Sequence, residues 1–309
     1  MIPQADLDSK RAPLSNKALP LTEAEFLAAP VEQIAAVAPT SMVFAPGGTR
    51  RAAVLSGIDP NGHEYVRWSF DQLISQFGMM FRLGVRNLFT GAITPNQWNE
   101  VGNYRQHLLG WVKKFLTGEE ALEAYVRQGW RVRLAGWQAI PELEEVAATL
   151  VEKTPRDSPH TLWWWANPSY ESVWDVLLAA AHRSGARTRD ELIRAIYGED
   201  VPLISLYLGF AKPEVSPVHL PPLLAGQVQC YWTVRPGYTL DETEFRRILH
   251  DYACLRPTWR PDKTGRAEGS LPYREAWLQG PTLGLGMRLG QDFWYPAPIA
   301  PPPASKDEA

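Results

Sequence analysis

The residues of this sequence with the clearest capacity for chemistry lie in one short turn that reads PGGTRR. Gly47 and Gly48 can direct successive backbone N–H groups into one concavity, and Thr49 adds a hydroxyl donor. Arg50 and Arg51 add planar guanidinium groups, which bind phosphate oxygens through paired hydrogen bonds. The pattern favours a diphosphate site, although two glycines and two arginines also occur in ordinary solvated turns.

Other motifs for phosphate, metal or nucleophilic chemistry do not fit. The turn lacks the lysine of a Walker loop and the third glycine of a dinucleotide-binding fingerprint. The six histidines are scattered, and neither a G-x-S-x-G elbow nor a D-D-x-x-D cluster occurs. The pairs Glu199-Asp200 and Asp241-Glu242 fit helix ends better than metal sites. We therefore predict no metal ligands among these side chains.

Aromatic residues are the second clue, because the chain contains 13 tryptophans. Trp163, Trp164 and Trp165 are consecutive in an apolar run, and strand side chains alternate in direction, so one face must meet a helix layer or a cavity. Aromatic faces stabilise cations by ~2 kcal/mol or more where water is excluded. A diphosphate site beside an aromatic pocket would suit the ionisation of an allylic diphosphate, whereas plain core packing remains the alternative for most individual tryptophans.

Hydrophobic spacing predicts the elements that must position this turn. Short apolar runs predict strands, and apolar residues at three- and four-residue spacing between them predict helices, including 64–83 and 100–116. Strands that alternate with helices imply an α/β fold, with a mainly parallel central sheet flanked by helices. The predicted strands cover residues 41–45, 85–90, 130–136, 161–166, 203–210 and 227–234.

Helix boundaries can be predicted at two capping boxes. Thr22 with Glu25 begins the first helix and Thr188 with Glu191 a later one, while Pro30 should bend or end the first. The PGGTRR turn follows the first predicted strand, as GAITPNQWN follows the second and NPSYES the fourth. Ligands of parallel sheets bind beyond the carboxyl ends of the strands, so a site is expected at this edge.

Composition sets broader limits. The chain has 309 residues and a net charge of −3, which gives no bulk attraction to nucleic acid or anionic membranes. Cys230 and Cys254 have no metal-type spacing and fit a reducing compartment, and no apolar run reaches the ~20 residues of a spanning helix. We expect a soluble cytoplasmic protein without stable membrane insertion. It should have a flexible arm (1–20), a single domain (21–295) and a disordered proline-rich tail (296–309).

Five stretches carry a family resemblance: EFLAAPVEQIAAV, FAPGGTRR, LIRAIYGEDV, YWTVRPGYTLDETEFRRILHDYACLRP and LGLGMRLGQDFWY. Together they resemble the tuberculosinol/isotuberculosinol synthase family, kolavelool synthase-like bacterial diterpene synthases on the cis-prenyltransferase fold. The resemblance covers roughly residues 23–295. It implies that a bicyclic C20 allylic diphosphate loses its diphosphate and that water captures the cation to give a terpene alcohol, with adenosine or another acceptor as a variant. A homodimer is expected from the fold family.

The resemblance also implies roles for individual residues. Arg50 and Arg51 would grip the diphosphate, with Gly47, Gly48 and Thr49 as the rest of the binding turn. The family's active-site aromatic residues map to positions that would shape the pocket and stabilise the cation. These positions are Tyr65, Tyr104 and Trp294.

One departure from the family concerns the turn itself. The family has an aspartate, central to catalysis, where this chain has Gly47, so Mg²⁺ would enter only with the substrate diphosphate. Asp59 or Glu64 of the next segment are candidates to replace it, although both fit solvated loop positions better. The alternative to an enzyme is therefore a non-catalytic partner subunit of a cis-prenyltransferase. A chain-elongating prenyltransferase fits least, because YLGFAKPEV lacks the arginine and serine of its late R-T-S-G-E type segment.

Overall fold

One parallel sheet organises the chain. The structure is a computed structural model that describes residues 21–101, 104–255, 264–265, 267–289 and 293–295. Its strands are β1 (Ser41–Phe44), β2 (Asn87–Ile93), β3 (Arg131–Ala135), β4 (Thr161–Ala166), β5 (Ile204–Phe210) and β6 (Ala225–Thr233). Their order is β3-β4-β2-β1-β5-β6, and every pairing is parallel. The predicted α/β architecture is confirmed.

Helices cover both faces of this sheet. Those before β3 are α1 (Glu23–Ala28), α2 (Val31–Ala35), α3 (Thr49–Leu55), α4 (His63–Arg82), α5 (Pro95–Trp98), α6 (Tyr104–Thr117) and α7 (Glu119–Gln128). Later ones are α8 (Glu144–Lys153), α9 (Tyr170–Ser184), α10 (Arg189–Tyr197), α11 (Glu242–His250) and α12 (Arg274–Gln279). A separate antiparallel hairpin joins β7 (Met287–Leu289) to β8 (Phe293–Tyr295).

Local sequence signals account for most of these boundaries. Both predicted capping boxes form, at Thr22 and at Thr188, and Pro30 separates α1 from α2 as predicted. The second strand begins two residues later than predicted, because the backbone N–H groups of Val85 and Arg86 bond to a helix end and to the preceding loop. The helix predicted from residue 100 begins instead at residue 104, after the short helix α5.

The consecutive tryptophans of β4 are divided between two hydrophobic cores. Trp164 packs edge-on against Phe77 on one face, whereas Trp163 stacks on Phe89 on the other. Trp165 shares the second face and stacks on Tyr197 of α10. All three indoles are buried, so the second face meets a helix layer and these tryptophans are core residues.

The predicted N-terminal arm (1–20) and the predicted proline-rich tail (296–309) lie outside the residues that the structure describes. Within the part of the chain that is described, no helix combines the length and the apolar character needed to cross a bilayer.

Candidate functional site

The PGGTRR turn lies at the carboxyl end of β1, as predicted. Strand β1 is fully buried, and the chain leaves it through Ala45 and Pro46 before α3 begins at Thr49. Gly48 has φ +67°, a left-handed conformation that glycine adopts without a Cβ penalty. The N–H of Gly237, which follows β6, donates to the carbonyl of Gly47 at 2.7 Å. The turn is therefore tied to the far edge of the sheet.

Phe210, the last residue of β5, packs directly against both glycines. A Cβ added to Gly47 would lie 2.5 Å from Phe210 Cδ1, and one added to Gly48 would lie 2.8 Å from Cζ. Non-bonded carbon atoms do not approach this closely, so neither position accepts a side chain while the ring stays in place. The phenyl ring occupies the space into which a side chain of residue 47 would extend.

Hydroxyl groups gather beside the turn. The Thr49 and Tyr65 hydroxyls are hydrogen-bonded at 2.8 Å. Tyr238 also lies beside Thr49 and Ser69, and burial raises its pKa well above the usual value, which these hydrogen-bonding contacts only partly offset. Ser69 Oγ is buried without a partner of standard geometry, so its contact with Tyr238 is loose. Trp68 packs edge-on against Tyr238 with 5.4 Å between ring centroids, which completes an aromatic wall.

The two arginines of the turn have different surroundings. Arg50 faces Glu100 at 3.9 Å, with 56% of the arginine side chain exposed. The Arg51 guanidinium carbon lies 5.7 Å from the centroid of the Phe210 ring, within range of a cation–π contact. Both guanidinium groups are on the solvent side of the turn, where they can reach an incoming anion.

The structure gives less information on the other two predicted aromatic residues, Tyr104 and Trp294. Tyr104 is the first residue of α6, but its side chain lies outside the described part of the structure. Trp294 is half-buried in β8 and pairs with Arg288 of β7 across the hairpin. Gly284, which precedes the hairpin, lies near the loop that follows β5, since a Cβ on Gly284 would lie 3.7 Å from Pro213. The role of Trp294 in the site stays a prediction.

The turn suits an anion rather than a metal ion. Its donors are backbone N–H groups, a hydroxyl and guanidinium groups, and the Glu100 carboxylate lies 3.9 Å from Arg50. Within the described residues, no three His, Cys, Asp or Glu side chains are grouped as metal ligands. Asp59 accepts a hydrogen bond from the Asn61 backbone, and Glu64 is exposed in the first turn of α4. The described residues of the turn and its surroundings do not fit a metal held by the protein.

The acidic pairs singled out in the sequence have structural partners. Glu199 forms an ion pair with Arg131, and Asp200 with Arg194. Asp241 caps the start of α11 by accepting from Glu244 N. Glu242 forms ion pairs with Arg82 of α4 and with Arg246 of its own helix. These carboxylates lie at helix ends, as predicted, and Glu199 ties the end of α10 to the start of β3.

Two concavities adjoin this region. One, between the ends of β1, β5 and β6, has a volume of ≈ 10 Å³ and is bounded by Phe44, Phe210 and Gly237. That is room for about one water molecule. The other is an open groove of ≈ 640 Å³ along α4, whose rim carries Asp71, Asp241, Glu242 and Arg82. Arg82 is paired with Glu242, which leaves Asp71 and Asp241 to repel a diphosphate, so the PGGTRR turn is the better anion site.

Phe210, Trp68 and Tyr238 are residues at this site that sequence reasoning missed. Tyr238 belongs to the long YWTVRPGYTLDETEFRRILHDYACLRP stretch, and its position shortly after a predicted strand was the signal that could have indicated it. Arg246 and Arg247 of the same stretch hold α11 against α1. Arg246 donates to the Ala29 carbonyl at 2.8 Å, and Arg247 pairs with Glu23.

Comparison with characterised proteins places this site in context. The chain is 45% identical over 276 residues to (+)-kolavelool synthase of Herpetosiphon aurantiacus, covering 89% of this chain and 95% of that protein. It is 28% identical over 251 residues to the tuberculosinyl adenosine transferase of Mycobacterium tuberculosis, covering 76% and 84%. No protein-family model matches the chain.

Solved structures agree on the fold. Lavandulyl diphosphate synthase from Lavandula x intermedia superposes with a TM-score of 0.53 at 13% identity, covering 71% of this chain and 96% of that one. A probable undecaprenyl diphosphate synthase from Campylobacter jejuni gives 0.51 at 15% identity, covering 72% and 97%. The chain belongs to the kolavelool synthase-like family of diterpene synthases, enzymes acting on prenyl diphosphates on the cis-prenyltransferase fold.

Proposed function

We propose that this protein ionises a bicyclic C20 allylic diphosphate of the tuberculosinyl or kolavenyl type and captures the cation with water. The products are a terpene alcohol and inorganic diphosphate. The observation that carries the proposal is a cationic, carboxylate-free turn at the carboxyl end of β1, in a chain 45% identical to (+)-kolavelool synthase.

The chemistry assigned to the turn is heterolysis of the bond between the allylic carbon and the diphosphate oxygen. The electron pair leaves with the diphosphate, whose growing charge Arg50, Arg51 and the Thr49 hydroxyl can stabilise. The tie between Gly47 and Gly237 fixes the backbone of the turn before the reaction, and the bond to Tyr65 fixes the Thr49 hydroxyl, so this part of the site needs little reorganisation.

The carbon cation needs a different environment. The Tyr65, Trp68 and Tyr238 rings form a wall beside the turn, and aromatic faces attract cations. A water molecule donates its oxygen lone pair to the cation. Its proton then passes to the released diphosphate or to solvent, because the turn itself has no carboxylate base.

Magnesium enters this proposal only with the substrate. The donor set of the turn binds oxyanions, so any Mg²⁺ would be held by the oxygens of the diphosphate rather than by the described carboxylates.

The proposal is tested by incubating purified protein with geranylgeranyl, halimadienyl-type and clerodane-type diphosphates in H₂¹⁸O. Mass spectrometry should find a terpene alcohol that carries one ¹⁸O atom. An unlabelled product of higher mass in the presence of adenosine would instead identify prenyl transfer. Diphosphate release without a terpene alcohol from any substrate would contradict the synthase proposal.

A non-catalytic partner subunit remains the second candidate, and the glycine turn favours it specifically. Phe210 occupies the space that a side chain at residue 47 would need, so the packing of this chain does not accept the carboxylate that the family has there. This candidate predicts no turnover of any C20 diphosphate, together with tight binding to a long-chain prenyl diphosphate synthase. Size-exclusion chromatography of such a mixture, beside the turnover assay, separates the two.

A further inference from the structure

Phe210 is held in an unusual local geometry. Ala211, the next residue, has φ +65°, and it is the one non-glycine residue with positive φ in the described part of the chain. Alanine in this region costs of order 1 kcal/mol or more, so the surrounding structure must enforce it. Enforcement comes from the sheet edge, where Ala211 N donates to the Thr233 carbonyl of β6 at 2.9 Å.

The strained bend fixes where the phenyl ring lies. One face and edge of the ring close off Gly47 and Gly48, and the guanidinium of Arg51 lies 5.7 Å from its centroid. The ring is therefore both the floor of the turn and a platform for one of its two arginines. Arg50, by contrast, faces Glu100 at 3.9 Å.

From these three relationships we infer that Phe210 is a positioning residue for diphosphate binding, acting through Arg51. The aromatic face restricts the Arg51 side chain to conformations in which its guanidinium can meet an anion held by the turn. Less rotamer freedom is then lost when the diphosphate binds, which increases affinity. The inference rests on the proposed function, since it assigns Arg51 to the substrate diphosphate.

The test uses the full-length protein and inorganic pyrophosphate, whose binding is measured by calorimetry. Phe210→Leu keeps apolar bulk but removes the aromatic face, and Phe210→Tyr retains that face. A cation–π contact at an exposed site is worth about 0.5–1 kcal/mol, so Phe210→Leu should weaken binding roughly two- to fivefold. Phe210→Tyr should bind as the unaltered protein does.

Double variants separate positioning from a general loss of structure. Added to Arg51→Ala, Phe210→Leu should weaken pyrophosphate binding no further, whereas added to Arg50→Ala it should have its full effect. Thermal unfolding of each variant shows whether the fold is intact. The inference would be overturned if Phe210→Leu weakened pyrophosphate binding equally in the Arg50→Ala and Arg51→Ala backgrounds. It would also be overturned if Phe210→Tyr lost affinity while the protein stayed folded.

Turnover measurements keep the two proposals apart. Pyrophosphate binding with the expected coupling, but without terpene alcohol from any C20 substrate, would support the role of Phe210 and reject the synthase proposal. Terpene alcohol formation without coupling between Phe210 and Arg51 would support the synthase proposal and reject the role of Phe210. If the unaltered protein does not bind pyrophosphate, the role of Phe210 is rejected directly.

Discussion

The hydroxyl oxygens of Thr49 and Tyr65 lie 2.8 Å apart and join the first residue of α3 to the first turn of α4. The pair fixes a hydroxyl donor beside the glycine turn. It also directs the Tyr65 ring towards the aromatic wall that Trp68 and Tyr238 continue. One hydrogen bond thus links the part of the site that would hold the diphosphate to the part that would meet the cation.

Tyr65→Phe tests this link. The substitution removes one hydrogen bond while keeping the ring, so kcat/KM for terpene alcohol formation should fall roughly 2- to 10-fold. Steady-state measurement of pyrophosphate release gives the value. Tyr170→Phe, on the exposed side of α9, is the matched control and should leave the rate unchanged. A Tyr65→Phe enzyme with unaltered kcat/KM would remove this hydroxyl from the reaction.

Arg50→Ala should weaken diphosphate binding. Loss of a charge-assisted hydrogen bond costs about 1.5–3 kcal/mol, which corresponds to a roughly 10- to 150-fold higher dissociation constant for pyrophosphate. Because Glu100 competes for the same guanidinium, Glu100→Gln should change affinity in the opposite direction, by less than about fivefold. Calorimetric titration measures both, with the exposed Arg183→Ala as control. Unaltered affinity in Arg50→Ala would exclude Arg50 from the site.

Gly47→Asp should lower the stability of the protein. Judged from the family resemblance, this substitution would restore a catalytic carboxylate and raise metal-dependent activity. Because its Cβ would lie 2.5 Å from Phe210 Cδ1, we instead expect the single variant to be destabilised by 1–3 kcal/mol, typical of overpacking. The loss is measured as a lower urea midpoint.

Combination with Phe210→Ala provides the control, because it removes the ring that clashes. Measured against Phe210→Ala alone, Gly47→Asp should then cost less stability than it does in the unaltered protein, and we expect Mg²⁺ to raise activity only in the double variant. A single variant as stable as the unaltered protein would show that the ring moves aside freely.

Buried tyrosines make the fold sensitive to alkali. Burial raises the pKa of Tyr125, Tyr197 and Tyr238, and that of Tyr207 to about 12, above the ordinary value of 10.0. Their neutral forms are favoured by the fold, so stability is fully present below pH 10 and is lost as pH rises through the folded pKa values. Each tyrosine should then lower the free energy of unfolding by about 1.4 kcal/mol per pH unit.

Urea unfolding at pH 8, 9, 10 and 11 measures this dependence. Tyr197→Phe should make the decline shallower, since one ionisation is removed without loss of a described hydrogen bond. A midpoint that is constant up to pH 11 would contradict the link between burial and ionisation.

Arg246→Ala should affect stability and not chemistry. Arg246 is only 12% exposed, pairs with Glu242 and donates to the Leu27 and Ala29 carbonyls. Its loss should cost about 2–3 kcal/mol at roughly 1 kcal/mol per hydrogen bond, measured by urea unfolding. Arg194→Ala breaks an exposed pair with Asp200 and should cost less than about 1 kcal/mol. Equal losses in the two variants would contradict the anchoring role of Arg246.

The fold could be predicted from the sequence because local signals there agreed with the tertiary structure. The capping boxes at Thr22 and Thr188 and the continuous apolar run of β4 each depend on nearby residues alone. Alternation along β4 even predicted the division of its tryptophans between two faces. Agreement of this kind is expected where propensity and packing favour the same conformation.

The site could be predicted only in part, because its geometry depends on residues distant in sequence. The turn and its arginines form a local motif, whereas the contact of Phe210 with Gly47 exists only because β5 pairs with β1. Tyr238 reaches Thr49 through the loop that follows β6, which no periodicity predicts.

The hydrogen bond from Gly237 to Gly47 has a consequence for the newly made protein. Ribosomal synthesis delivers β1 and its turn early, but the partner that holds the turn arrives only after β6 has been made. A nascent chain that ends before residue 237 would carry both arginines without the backbone contact that orients the turn. Competence to bind substrate is therefore acquired late in biosynthesis, after most of the chain has already emerged.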